Sequence, residues 1–320
     1  MGMTDAAIDF KQAVNHRKGK NLLGAYYPAS TIVIDTECLQ TLSDRHILNG
    51  IAEALKHALA QSRSMTEMIV TPLRETNLAC LRDPEYLDMV CRTCIDHKVP
   101  TLIYYTQSNF NEMVPQYGHA IAHALEHLSF HCGDSVKPLL HGEAVAIGMC
   151  VSAEVAFILG ICDEQTVSEH YEFISDSGLP TFVPRNMTLK DIMAKLRYDK
   201  HYVKKPAMGL LSKIGFMYSK DGDYAQTIPH EVTLKALSAN IERRDAAPFS
   251  YAPPESELPI SDIVNVVMAS NAEELTNHAE SVFEDGNLLD EWRAVSVDSS
   301  EFNARKENIY WRLWAMKGNH

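Results

Sequence analysis

Tyr117-Gly118-His119-Ala120-Ile121-Ala122-His123-Ala124-Leu125-Glu126 is followed by His141-Gly142-Glu143-Ala144-Val145-Ala146-Ile147-Gly148-Met149. Both runs favour helix. His119 and His123 are four apart, a spacing that stacks two side chains on one helical face. His141 opens the second run, so two segments can bring three imidazoles to one point. Neutral imidazole is a good ligand for zinc and its first-row neighbours. Two histidines and one carboxylate leave a coordination position for water or substrate. A carboxylate is available upstream, at Glu53 in Gly50-Ile51-Ala52-Glu53-Ala54-Leu55-Lys56-His57. The residues thus nominate Glu53, His119 and His141 as metal ligands and leave His123 for a substrate. The spacing lacks the Glu of a His-Glu-x-x-His motif, and partly exposed helix histidines are its competing reading.

Composition bounds the classes open to the chain. Its 320 residues are 46% hydrophobic and 22% charged, an ordinary globular balance. The net charge of -13 is spread rather than blocked, which argues against a nucleic-acid partner. No apolar run is read as reaching the roughly 18 residues that span a bilayer. The first residues lack the pattern of a signal peptide. Seven irregularly spaced cysteines suit a reducing cytoplasm. Cys91 and Cys94 form a C-x-x-C inside a helical run, and buried thiols are the favoured reading.

Further along the chain, helix dominates. Residues 8 to 27 are polar and rich in Lys, Asn and Gly, readable as a ligand loop or as a solvated basic loop. Thr31-Ile32-Val33-Ile34-Asp35 is the clearest strand candidate. Helices are expected at about 44 to 60, 64 to 70, 84 to 98, 116 to 130, 141 to 160, 163 to 177, 188 to 197 and 229 to 244. The stretch 104 to 115 reads as irregular, and a strand pair is expected within Gly209 to Tyr218. Pro248, Pro253, Pro254 and Pro259 bracket a linker. Beyond it, residues 260 to 320 carry all three tryptophans in amphipathic, helix-like runs. No G-x-G-x-x-G occurs, so a dinucleotide-binding unit of the familiar kind is not expected in these residues. The fold class expected is mainly α, a helical metal-binding domain with a small β element and an appended helical tail.

Five motifs in order carry a resemblance. They are Lys11-Gln12-Ala13-Val14-Asn15, Gly19-Lys20-Asn21-Leu22-Leu23-Gly24, Ile51-Ala52-Glu53-Ala54-Leu55-Lys56 and the two histidine runs. From about residue 8 to about 245 the chain resembles the C-terminal part of the sugar phosphate cyclases, the superfamily of 3-dehydroquinate synthase. Phe10 to Asn15 and Tyr117 look closer to the 2-deoxy-scyllo-inosose synthases of aminoglycoside pathways than to the shikimate enzyme. The resemblance implies a lyase that eliminates phosphate from a sugar phosphate, with NAD as redox cofactor and zinc or cobalt as metal. It implies Glu53, His119 and His141 as ligands. It also implies Lys11, Lys56 and His123 as catalytic groups, and Lys20, Asn21, Lys98, Gln116 and Lys200 as substrate or phosphate contacts. Gln116 stands where relatives carry Asn or Glu, and Ala122 replaces a Gly.

The same resemblance implies a glycine-rich NAD domain ahead of the Lys11 motif. The expected organisation is therefore a remnant of that domain's edge and a substrate loop at 1–35, and a metal- and substrate-binding domain at 36–247. A linker at 248–259 and a tail module at 260–320 follow. The expected partners are a sugar phosphate, a separate NAD-binding subunit and a second copy of the chain, with neither nucleic acid nor membrane. The leading expectation is a cyclase half acting on glucose 6-phosphate. Its competitors are a non-catalytic subunit of an intact cyclase, a 3-dehydroquinate synthase-like or 2-epi-5-epi-valiolone synthase-like activity, and a metal protein of other chemistry.

Overall fold

Ser43 precedes a run whose apolar positions recur at helical spacing, and the chain there forms α1, Asp44–Gln61. The computed structural model describes residues 2–9, 11–16, 19–27, 29–104, 108–130, 137–196 and 207–246. After α1 come α2 (Arg63–Glu75), α3 (Pro84–Tyr104), α4 (Phe110–Gln116), α5 (His119–Ser129) and α6 (His141–Ile158). Then follow α7 (Glu164–Asp176), α8 (Leu189–Leu196) and α9 (His230–Ala246). The described part is mainly helical, as expected.

The core is organised around α6, which packs against α1, α5, α7 and α9. Residues Gly142 to Ala156 of α6 are all buried, mostly apolar with no continuous polar face, and the buried Glu143 and Glu154 are each paired with an arginine. It is long and apolar enough to cross a membrane by length and composition, which corrects the expectation of no such run. Its burial among other helices is what a core helix of a globular domain shows. Two glycines set how closely the helices approach. A methyl at Gly148 would overlap the carbonyl oxygen of Gly118, so α6 touches the start of α5 backbone to backbone. Gly118 has φ of +76°, a conformation that favours glycine, and it ends the preceding turn before α5 begins.

Several elements depart from expectation. Residues within 8 to 27, read as a loop, form an antiparallel pair, β1 (Lys11–His16) and β2 (Gly19–Tyr26). Thr31 to Asp35 is no strand: no described segment pairs with it, and Val33 is 85% exposed. β-propensity reflects packing against neighbours, and none flanks this stretch among the described residues. Asp35 instead accepts the Glu37 backbone N–H at 3.0 Å and starts a 3-10 turn, Thr36–Leu39.

α2 and α3 run well past their expected ends, with Pro72 and Pro100 inside them, and α4 occupies the supposedly irregular region with Pro115 inside. Each proline removes one helical hydrogen bond, and packing overrides that local penalty. The expected strand pair appears as β4 (Leu211–Lys213) and β5 (Phe216–Met217). It is flanked by a short unforeseen pair, β3 (Ala207–Met208) and β6 (Gln226–Thr227). Cys91 and Cys94 are buried free thiols on α3, as read. The linker at 248–259, the tail at 260–320 and the loop with Lys200 lie outside the described residues.

Candidate metal centre

Glu53 lies in the third turn of α1, while His119 and His141 are the first residues of α5 and α6. Packing of α6 against both other helices brings the three to one point. One carboxylate oxygen and one nitrogen from each ring lie within 4.8 Å of one another. Glu53 Oε1 is 3.1 Å from His141 Nε2 and 3.8 Å from His119 Nε2. His123, one turn beyond His119, has its ring centroid 5.5 Å from that of His119 and 6.2 Å from that of His141. The nominated ligands are assembled, with His123 beside them.

Each ligand is held from behind. His119 Nδ1 is 3.1 Å from the Tyr117 carbonyl oxygen, which can only accept. The proton therefore sits on Nδ1, and Nε2 offers its lone pair toward Glu53. Burial pushes the His119 pKa down to about 3, against the pull of Glu53, so the ring is neutral at pH 7. His141 Nδ1 is 3.3 Å from Glu126 Oε2 on α5. Burial disfavours a charged His141, but hydrogen bonds to Glu126 and Glu53 win and raise its pKa to about 9. Without a cation, a proton on His141 thus supplies positive charge between two carboxylates. Glu53 Oε2 accepts from Lys56 Nζ at 2.6 Å, leaving Oε1 for the centre. Burial works against ionised Glu53, yet Lys56, the His141 hydrogen bond and His119 together outweigh it and hold the carboxyl well below its usual range.

These donors fit a divalent cation. Two neutral imidazole nitrogens and one carboxylate oxygen are an ordinary set for zinc or a first-row neighbour, with supporting hydrogen bonds that fix each ligand's orientation. A further open position would remain for substrate oxygen.

The supporting charges extend to a residue that sequence reasoning missed. Asp5, from the N-terminal segment, accepts from Lys56 Nζ at 3.1 Å, from His57 Nε2 at 2.9 Å, and from Lys98 Nζ. Lys98 Nζ also donates to the Asp5 backbone carbonyl at 2.7 Å. Burial raises the Asp5 pKa, but Lys56, His57 and Lys98 together outweigh it and hold the carboxyl well below its ordinary value. Burial, then Lys56, lowers the pKa of His57. Gln61 Nε2 donates to His57 Nδ1 at 3.4 Å, which places the His57 proton on Nε2, facing Asp5. No spacing signalled Asp5. Glu126 could have been found, because His119, His123 and Glu126 fall at i, i+4 and i+7 on one helical face.

The remaining nominated residues divide. Lys56 and Lys98 are beside the centre, but both are fully buried with their ammonium groups on carboxylates. Gln116 is half-buried at the end of α4, three residues before His119. Lys11 opens β1 opposite Tyr26, and Lys20 and Asn21 lie on β2. The structure describes these three in backbone only, and Lys200 falls outside the described residues.

The family model of the 3-dehydroquinate synthase C-terminal domain matches residues 50–202, and that of the N-terminal domain matches residues 1–49. A 2-deoxy-scyllo-inosose synthase of Streptoalloteichus tenebrarius is 34% identical over 232 residues, covering 69% of this chain and 57% of the relative. A 3-dehydroquinate synthase of Desulforamulus reducens is 34% identical over 204 residues, covering 63% of this chain and 54% of the relative. The chain thus spans a little over half the length of these relatives.

Among solved structures, a 2-deoxy-scyllo-inosose synthase complexed with carbaglucose-6-phosphate, NAD+ and Co2+ superposes with a TM-score of 0.63 at 27% identity. The match covers 74% of this chain and 64% of that one. A 2-epi-5-epi-valiolone synthase from Streptomyces hygroscopicus with NAD+ and Zn2+ bound gives 0.61 at 28%, covering 76% and 64%. With both domain models matched in order and both structural neighbours superposed over about three quarters of its length, this chain belongs to the sugar phosphate cyclase superfamily of 3-dehydroquinate synthase.

Proposed function

We propose that the chain is the metal- and substrate-binding part of a sugar phosphate cyclase, a carbon–oxygen lyase that eliminates phosphate from glucose 6-phosphate. The observation that carries this reading is the convergence of Glu53, His119 and His141 within 4.8 Å. The superposition on a 2-deoxy-scyllo-inosose synthase complexed with carbaglucose-6-phosphate supports the choice of substrate. These 320 residues hold no G-x-G-x-x-G, and the proposal places NAD on residues outside them, with a separate NAD-binding subunit as the arrangement to test.

A bound zinc or cobalt would supply Lewis acidity, polarising the substrate's oxygens. The chain's own residues supply the rest. Glu53, His119 and His141 would hold the cation, each oriented by Lys56, the Tyr117 carbonyl and Glu126. His123, whose ring centroid is 5.5 Å from that of His119 and 6.2 Å from that of His141, is the group proposed to take up and return a proton at a substrate hydroxyl. Asp5, carrying a full negative charge, keeps Lys56 and Lys98 fixed beside the reacting sugar. Elimination breaks the carbon–oxygen bond to phosphate while the neighbouring carbon loses a proton. Lys11, Lys20, Asn21 and Lys200 are the groups proposed to meet the departing phosphate, and Gln116 the sugar.

The experiment is a phosphate-release assay on glucose 6-phosphate with zinc or cobalt and NAD. The chain is assayed alone and with a co-expressed NAD-binding subunit. Phosphate release that requires the chain and is lost in His123→Ala is expected. A cation bound stoichiometrically, with no phosphate released under any pairing, overturns the cyclase reading and leaves the non-catalytic subunit.

A further inference from the structure

The ligands of the candidate centre come from three helices, and His141 stands at the very first position of its own. Helix ends fray, and their first backbone N–H groups need partners from outside the helix. Here one of those partners comes from α1 and another from Glu143, which α1 holds in place. Arg45, Asn49 and Glu53 are spaced by four and form one stripe along that helix. Arg45 Nε donates to Glu143 Oε1 at 2.7 Å, and its Nη2 donates to Glu143 Oε2 at 2.8 Å. The same Nη2 donates to the Pro138 carbonyl at 2.8 Å.

Glu143 Oε2 also reaches back to accept the Leu140 backbone N–H at 2.8 Å. Asn49 Oδ1 accepts the Gly142 backbone N–H at 2.6 Å. A methyl at Gly142 would overlap the Asn49 backbone, so only glycine lets this contact form. The residues before and after His141 are thus both tied down. The fork is nearly dry, with side chains 13% exposed for Arg45 and 2% for Glu143. A two-pronged guanidinium–carboxylate pair fixes angle as well as distance.

We propose that Arg45 and Glu143 are positioning residues of the cation site. Neither touches the cation or a substrate. Together they set the height and rotation of the first turn of α6, so that His141 Nε2 meets Glu53 Oε1. This rests on the reading of Glu53, His119 and His141 as a cation site, and not on the sugar phosphate chemistry.

The test compares Arg45→Met and Arg45→Lys with Arg243→Met. Arg243 pairs with buried Glu154 at 2.6 Å at the opposite end of α6, so its loss is a control for general loosening. Zinc affinity is read by competition with a chromophoric chelator, cobalt geometry by its visible absorption bands, and folding by thermal melts. Both Arg45 variants are expected to bind zinc about tenfold or more weakly, the range seen for residues behind metal ligands. They are also expected to shift the cobalt bands. Arg243→Met should lower the melting temperature with zinc affinity and cobalt bands unchanged.

Unchanged affinity in the Arg45 variants overturns the proposal, as does an equal loss in Arg243→Met. If Arg45→Met does not fold, Arg45→Lys, which keeps the charge but loses the fork, decides alone. If neither folds, the clamp serves folding rather than placement, and the proposal is overturned. A wild-type chain that takes up no cation removes the site and the clamp's role with it. Cation uptake without phosphate release leaves the clamp standing and removes only the cyclase reading.

Discussion

His119 shows how a single atom's protonation sets a ligand. Its Nδ1–H is committed to the Tyr117 carbonyl, and the free Nε2 lone pair faces Glu53. His119→Ala removes one of three donors, and stoichiometric zinc or cobalt should be lost by elemental analysis. Glu126→Ala leaves all three donors but frees the His141 ring. Cation affinity should fall about 10- to 100-fold, read by chelator competition. A second histidine reports on the fold instead. His170 Nδ1 donates to the Thr166 carbonyl at 2.7 Å, so its Nε2 accepts the Tyr117 hydroxyl at 2.8 Å. Burial lowers its pKa to about 4.

A histidine whose folded pKa lies below its unfolded value stabilises fully above about pH 6.5 and loses that contribution as the pH falls toward 4. Between pH 7 and pH 5 the loss from this group is about 2 kcal/mol. Urea unfolding at the two pH values checks it, and His170→Gln should flatten the dependence. At this scale the sequence was most legible where side chains share one helix. The His119 and His123 pair could be read from spacing, Glu53 and His141 were nominated from their helical runs, and the resemblance named the same set. Asp5 could not be read, because its role depends on where a short N-terminal segment comes to rest.

Among the helices, the contact of α5 with α6 does most to place the centre. It depends on two glycines that face each other, Gly118 with its left-handed backbone and Gly148 in mid-helix. Gly148→Ala would drive a methyl into backbone that cannot rotate away. It should destabilise the fold by about 3 kcal/mol, the upper end for overpacking, visible as a lower midpoint in denaturant. A pattern of apolar residues predicts that α5 and α6 are helices; it does not reveal that two glycines fix their separation. Pro72, Pro100 and Pro115 show the opposite failure. Local rules end helices near proline, and buried neighbours here carried α2, α3 and α4 through it. The Thr31 to Asp35 run failed for a related reason. A strand is a property of a pair, and one sequence shows only half of it.

Over the whole described body, burial is graded outward from α6. Hydrogen exchange should follow that gradient. The amides of α6 are expected to exchange last, near the global unfolding limit, and those of the β1–β2 pair early. Among the described residues that pair forms a sheet of two strands only, which is marginal by itself. Mass spectrometry of peptides from a timed exchange checks the order. The mainly helical class could be read from the chain because apolar periodicity is a local property. Which helix lies at the centre depended on all-round apolarity, visible in Ala144 to Ala156 once that run is seen to lack a polar face.

The latch formed by Asp5 has a practical consequence at the bench. Its carboxylate is one acceptor shared by Lys56, His57 and Lys98, so a single charge lost there reaches the ligand Glu53 through Lys56. Molecules altered at this position would migrate normally on a gel and keep their helical signature, while titrating differently with cations. An intact-mass measurement of each preparation therefore belongs ahead of any metal titration.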